Sequence, residues 1–185
     1  IDTEQLVKAV GGDYARTISQ FVSNGIFGFN PDILPHVYDL TKAGELAKKY
    51  GFKGQTVTFH LPKNLELLGE HVRTQLNKIG VDVIVSYMEM DKLIESINAG
   101  DADVYFIGFK SELGDSADFL DVMVHSQGSF NIAGYKNKKV DKLIDDSLVQ
   151  MNPERRLKDL KDAMEIVVVE DVIGVPLFEY EKLFA

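Results

Sequence analysis

Apolar and polar residues along the chain fall into two alternating rhythms. "QTVTFHL" (55–61) changes at every residue and puts Val57, Phe59 and Leu61 on one face, which predicts a half-buried strand. "LELLGEHVRTQLNKIG" (65–80) places Leu65, Leu68, Val72, Leu76 and Ile79 at helical spacing, with Gly80 as the stop. "VDVIVSY" (81–87) predicts a second strand, "MDKLIESINAG" a helix ending at Gly100, and "ADVYFIGF" (102–109) a third strand. Strand, helix, strand, helix, strand makes two right-handed crossover units, and so at least three parallel strands.

The flanks are less regular. "DTEQLVKAVGG" predicts a short helix with Asp2 as N-cap and Leu6, Val7 and Val10 on its apolar face. "SNGIFGFNPDILPHVYD" (23–39) is rich in Gly, Asn, Pro and aromatics, and is expected to run extended over the surface. "LTKAGELAKKYG" reads as a helix stopped by Gly51. Beyond the third strand come a loop, a short helix, and the helices "NKKVDKLIDDSLVQM" and "NPERRLKDLKDAMEIVVVED", the latter with Pro153 near its start. "GVPLFEYEKLF" (174–184) predicts a closing strand, with Pro176 near its beginning in a position suited to a sheet edge. With no repeat, low-complexity tract or flexible linker, residues 1–185 are expected to form a single α/β domain.

Composition narrows the function. The 185 residues are 45% hydrophobic and 26% charged, enough for a packed core. A net charge of −9 argues against nucleic acid, which selects clustered Lys and Arg. No cysteine is present, so disulfides, thiolate metal sites and cysteine nucleophiles are excluded. Phosphate-binding glycine loops and a GxSxG elbow are also absent. The four histidines, at 36, 60, 71 and 125, share no metal-ligand spacing, and no metal or cofactor is expected. The chain opens Ile1-Asp2-Thr3, which reads as a mature or excised piece.

The candidate chemistry lies in "GFKSELGDSADFLDVM" (108–123), with acids at Glu112, Asp115, Asp118 and Asp121. Asp115 is placed to cap a helix at "SADFLDVM", and Asp118 to close a capping box or face the helix dipole. Asp121 is expected in solvent. A calcium loop needs acids at alternate positions and a closing Glu, so the spacing is wrong. Glu112 has no such capping duty and is either a surface acid or a ligand contact. In parallel sheets ligands favour the carboxyl ends of strands, which is where this loop falls. Phe109, at the end of the third strand, can be core or binding wall.

The string "IGF…GDSADFLDVMVHSQGSFNIAGYKNKKVDKLIDDS", followed by "NPERRLKDLKDAMEIVVVEDVIGVPLF", resembles the extracellular solute-binding proteins, family 5, the dipeptide- and oligopeptide-binding proteins of ABC importers. Shared features are a G-aromatic at a strand end, an acidic loop, "D-x-F-L", "N…GY", "x-x-D-x-L-I", a helix opening "x-x-x-x-R" and a final "I-P-L" strand, echoed here by Val175-Pro176-Leu177. "IDTEQLVKAV", "GIFGFNPDI", "YDLTKAGELAKKYGF" and "LNKIGVDVIV" match further segments in order. The resemblance implies a periplasmic-binding-protein-like lobe, a mostly parallel sheet with helices on both faces. It also implies a longer protein, with this chain as the second of two lobes closing on a ligand. Glu112 falls where peptide binders have an Asp for the ligand's α-amino group, Phe109 where Trp is common, and Asn131 and Tyr135 on the "N…GY" segment beside the cleft.

Two departures accompany these matches. Glu in place of Asp reaches one methylene further. The loop after the first strand, "PKNLE", offers only Lys63 where dipeptide binders hold the ligand carboxylate with Arg. The resemblance implies a non-enzymatic, extracytoplasmic, monomeric protein that binds a peptide or another small solute and delivers it to a membrane permease. The alternatives are a non-peptide solute such as an oligosaccharide or metal complex, a small α/β enzyme using Glu112 and Asp115 as an acid/base pair, and a pure interaction domain.

Overall fold

A computed structural model describes residues 1–180. The chain divides into two compact units, one of Ile1–Thr17, Val37–Gly108 and Tyr180, the other of Ile18–His36 and Phe109–Glu179.

The first unit is built on the parallel sheet. Helix α1 (Thr3–Val10) starts at Asp2, whose side chain accepts the Gln5 N–H at 2.9 Å, and it buries Leu6 and Val7. Asp2's own N–H donates to the side-chain carbonyl of Gln75, which is buried on helix α3 (Glu66–Asn77). Strand β1 (Ala15–Thr17) follows, then α2 (Leu40–Lys49), capped by Asp39. Strand β2 (Thr56–Pro62) lies in the centre of the sheet, between β3 (Asp82–Met88) and β4 (Val104–Tyr105), in the order β3-β2-β4 with both pairings parallel.

Register assigns the faces. Phe59 pairs with Val85 and Leu61 with Tyr87, while His60, between them, pairs with Ser86. Val85 and Tyr87 press on Gly69 of α3 so closely that a Cβ there would come within 3.0 Å of both side chains. His60 Nδ1 lies 2.8 Å from Ser96 Oγ on helix α4 (Met90–Ala99), and both residues are buried. Neighbouring strand residues point to opposite sides, so α3 and α4 cover opposite faces of the sheet, as expected. His60 is thus held in place by a buried side-chain hydrogen bond.

The third strand is shorter than the pattern over 102–109 predicts. The Asp103 carboxylate accepts both the Thr58 N–H and the Thr58 hydroxyl at 2.8 Å, so a side chain serves the β2 donor there. The ladder then covers Val104 and Tyr105, and Phe106 N–H donates to the His60 carbonyl. Ile107 to Phe109 leave it without strand structure.

The second unit is mostly helical. Helix α5 (Ser116–Phe119) runs into a π-helical turn over Leu120–Val124. Helix α6 (Lys138–Val149) is capped by Asn137, which accepts the Lys139 N–H at 2.9 Å. Helix α7 (Pro153–Glu165) is capped by Asn152 with Pro153 in its first turn, and it ends in a second π-helical turn over Ile166–Glu170. Its core gathers Phe119, Leu120, Val124, Val140, Ile144, Leu160, Met164 and Val167. Segment 18–36 does not merely cross a surface. Val22 and Ile33 enter this core, and buried Gln20 and Asn30 bond reciprocally, Asn30 N–H to Gln20 Oε1 at 3.0 Å and Gln20 Nε2 to the Asn30 carbonyl at 2.7 Å. Irregular backbone can be buried when side-chain amides satisfy its polar groups, as here. Strand β5 (Phe178–Tyr180) begins two residues after Pro176, which is buried. Residues 181–184 of the strand expected there lie outside the described residues.

Candidate ligand-binding site

Of the six candidate ligand contacts read from the sequence, Phe109, Glu112, Asp115, Asn131 and Tyr135 fall in the second unit, and Lys63 falls in the first. Phe109 is the outer member of an aromatic stack. Its ring meets Phe119 edge-to-face with centroids 5.3 Å apart, and Phe119 in turn stacks on Phe21 at 5.1 Å. Phe119 is buried and Phe109 is 37% exposed, so Phe109 is both anchored to the core and open to contact.

Glu112 sits on the loop that follows. Its carboxylate lies 2.8 Å from Lys110 Nζ, with both side chains well exposed. A pair of this kind contributes ~0–1 kcal/mol, so Lys110 is a counter-ion that a stronger partner can displace. Glu112 N–H donates to Asp118 Oδ2 at 3.3 Å. Asp118 therefore braces the loop from the first turn of α5, and Asp121 is exposed as expected. Beside Glu112, the Ser111 hydroxyl is buried with no hydrogen-bond partner among the described residues.

Asp115 caps α5, accepting the Ala117 N–H at 2.9 Å. Its second oxygen takes up a role that sequence reasoning missed. Arg156 Nη1 donates to Asp115 Oδ2 at 2.5 Å, and the two side chains are 24% and 22% exposed. Arg156 was visible only as the last position of the "x-x-x-x-R" helix opening, and Asp115 as a cap, a candidate ligand contact and one half of an acid/base pair. No local signal joins residues 41 positions apart.

Asn131 and Tyr135 close the "N…GY" segment on itself. Asn131 Nδ2 donates to the carbonyls of His125 (3.1 Å) and Tyr135 (2.7 Å), and its Oδ1 accepts the Tyr135 N–H at 3.0 Å. The Tyr135 hydroxyl donates to Asp171, which also accepts from Asn137 Nδ2 at 2.8 Å. Partial burial, and then the bond to Asp171, hold the Tyr135 phenol well above its usual range. The same hydroxyl, followed by Asn137, holds the Asp171 carboxyl below its own. Both donor hydrogens of the Asn131 amide are thus committed inside the loop. Val172, next in the chain, has φ 48°, a left-handed conformation that β-branched residues avoid.

Lys63 stands in a 3₁₀ turn directly after β2 and pairs with Glu89 at 2.9 Å, with both side chains exposed. Two surface hollows of about 470 and 250 Å³ lie along α7, lined by charged residues such as Asp146, Arg155, Lys158 and Asp162. Neither includes a predicted position. Among the described residues, no group of His, Asp and Glu is arranged to hold a metal, and no helix is long and apolar enough to cross a membrane.

A family model described as bacterial extracellular solute-binding proteins, family 5, matches residues 1–131. The chain belongs to this family. Among curated relatives of the family-5 chain is a probable D,D-dipeptide-binding periplasmic protein of Escherichia coli, 23% identical over 184 residues, covering 96% of this chain and 36% of the relative. The dipeptide-binding protein DppE of Bacillus subtilis is 25% identical, covering 99% and 36%. A solved structure of the periplasmic binding protein DppA from Helicobacter pylori, in complex with the peptide STSA, superposes with a TM-score of 0.88 at 25% identity, covering 96% of this chain and 36% of that one. The chain thus spans about a third of the length of the relatives it matches. The expected fold class, a periplasmic-binding-protein-like lobe, is met by this superposition and by the parallel sheet.

Proposed function

We propose that this family-5 chain is one lobe of a longer, extracytoplasmic solute-binding protein that takes up peptides and presents them to an ABC permease, without catalysis of its own. The observation that carries the reading is the exposed Glu112 carboxylate, held on a braced loop beside a half-anchored aromatic. A ligand's α-ammonium exchanges for Lys110 at Glu112, and Phe109 lines the adjoining wall. Enclosed by a closing partner lobe, this pair loses its water and gains strength that the exposed Lys110–Glu112 pair lacks. Relatives whose names refer to dipeptides, and a neighbour solved with a bound peptide, support the solute class. An acid/base reading of Glu112 and Asp115 is disfavoured because both Asp115 oxygens are already engaged.

The test is calorimetry on the full-length protein with a peptide panel, each peptide free and N-acetylated, for wild type and Glu112→Gln. A charge-assisted contact predicts roughly tenfold or more weaker binding after acetylation, and loss of that difference in the variant. Equal binding of free and acetylated peptides by the wild type overturns the amine role.

A second reading has its own support. Lys63, the only basic residue in the loop after β2, pairs with Glu89 in an exposed contact like that of Lys110 with Glu112, but a lysine lacks the bidentate fork with which an arginine holds a carboxylate. A further curated relative, 24% identical over 177 residues, is a heme-binding protein of Haemophilus influenzae. Longer peptides or non-peptide solutes satisfy this lack, and the same panel, extended to them, separates the cases.

A further inference from the structure

One guanidinium joins four segments of the second unit. Arg156, in the first turn of α7, donates from Nε to the Ser147 carbonyl near the end of α6 at 2.9 Å. From Nη1 it donates to Asp115, at the base of the Glu112 loop. Its charged carbon lies 5.2 Å from the centroid of the Phe27 ring. Phe27 itself is bonded to the same loop base: its N–H donates to the Gly114 carbonyl at 3.0 Å, and its carbonyl accepts the Ser116 N–H at 2.8 Å. The next residue, Gly28, has φ 94°, and a Cβ there would lie 1.8 Å from Ser116 Oγ. Segment 27–28 therefore packs against the start of α5 with no room for a side chain at residue 28.

We infer that Arg156 is a positioning residue for ligand recognition, fixing the base of the loop so that Glu112 is presented in one orientation. The inference rests on the amine-binding reading of Glu112. Only the fork of a guanidinium makes these contacts together. Nε and Nη1 point at separate acceptors on α6 and on the loop, and the flat group covers the Phe27 ring. A lysine ammonium keeps the charge and can reach Asp115, but it cannot span both acceptors and stack. The same Asp115 carboxylate caps α5, so one side chain ties Arg156 to both the loop base and the helix start. Glu112, three residues upstream of Asp115 and tied by its N–H to Asp118 of the same helix, inherits the placement.

The experiment compares full-length wild type with Arg156→Lys and Arg156→Met, using a free and an N-acetylated peptide by calorimetry, thermal unfolding, and amide hydrogen exchange over residues 110–118. Loss of a charged hydrogen-bonded contact predicts roughly tenfold weaker binding of the free peptide by Arg156→Lys, with the acetylated peptide within about twofold. Exchange over 110–118 is expected to rise about tenfold or more in both variants, while β2 and β3 keep wild-type exchange. Arg156→Met, which also leaves Asp115 uncompensated, is expected to unfold at a lower temperature than Arg156→Lys. Unchanged exchange over 110–118, or equal weakening of free and acetylated peptides, overturns the positioning role. A wild type that does not distinguish the two peptides sinks instead the reading of Glu112 on which it rests.

Discussion

The two units reach stability by different routes. The first is organised by a sheet: register fixes which side chains face α3 and which face α4, and each helix ends within a few residues of the strand that follows. The second has two irregular stretches, 18–36 and 125–137, which are held by reciprocal side-chain amides, by the Asn131 loop closure and by Arg156. Backbone hydrogen bonding within regular elements tolerates side-chain exchange, because the donors belong to the chain itself. Side-chain staples do not, because each is one residue deep. The unit that carries five of the six candidate positions is thus the one in which single substitutions reach furthest.

The comparison is tested hardest in the second core. Leu160 on α7 has no exposed surface, and Leu160→Ala is expected to lower stability by roughly 2–5 kcal/mol in urea titration. Hydrogen exchange should rise in α6 and α7 while β2 and β3 stay protected. Equal acceleration in both units would show that they share one cooperative transition.

A sharper contrast pairs two left-handed glycines. Gly100 ends α4 with φ 77° and open space around it, so Gly100→Ala meets only the backbone penalty, about 1 kcal/mol. Gly28→Ala adds the collision with Ser116 and is expected to cost more, on the order of 2–3 kcal/mol, with faster exchange over 110–118. Similar losses for the two would mean that the loop base yields, contrary to a rigid clamp.

The smallest effect concerns pH. The Tyr135 phenol is raised in the folded protein, so its contribution is fully present below the unfolded value, ~10, and fades as pH rises beyond it. Asp171 is depressed, so its contribution is present above ~4 and is lost as pH falls through its lower folded value. Tyr135→Phe should remove part of the alkaline loss and part of the acid loss together, read as melting temperature across pH 2–11. Tyr87 and Tyr105 are also raised, chiefly by burial, so the difference between variant and wild type is the measure. An unchanged profile at both ends would mean that the Tyr135–Asp171 bond contributes nothing in solution.

The alternation of Val57, Phe59 and Leu61, the stripe through Leu68 and Val72, the caps at Asp2 and Asp115 and the stop at Gly100 could all be read along the chain, because strand period, helix period and capping depend on residues a few positions apart. The acid of the candidate site was legible in the same way: once Asp115 was assigned to a cap, Glu112 remained. Its company was not. That Lys110 faces Glu112, that Lys63 meets Glu89, that Asn131 is spent on its own loop and that segment 18–36 enters the core depend on contacts between residues set by packing. Arg156 is the clearest case. The sequence by itself determined an Arg in the first turn of a helix and an Asp at the start of another. Only the tertiary structure brought the two within 2.5 Å across 41 residues, because burial of α7 against α6, in a core that α5 shares, and not any local preference, decides which acid the guanidinium can reach.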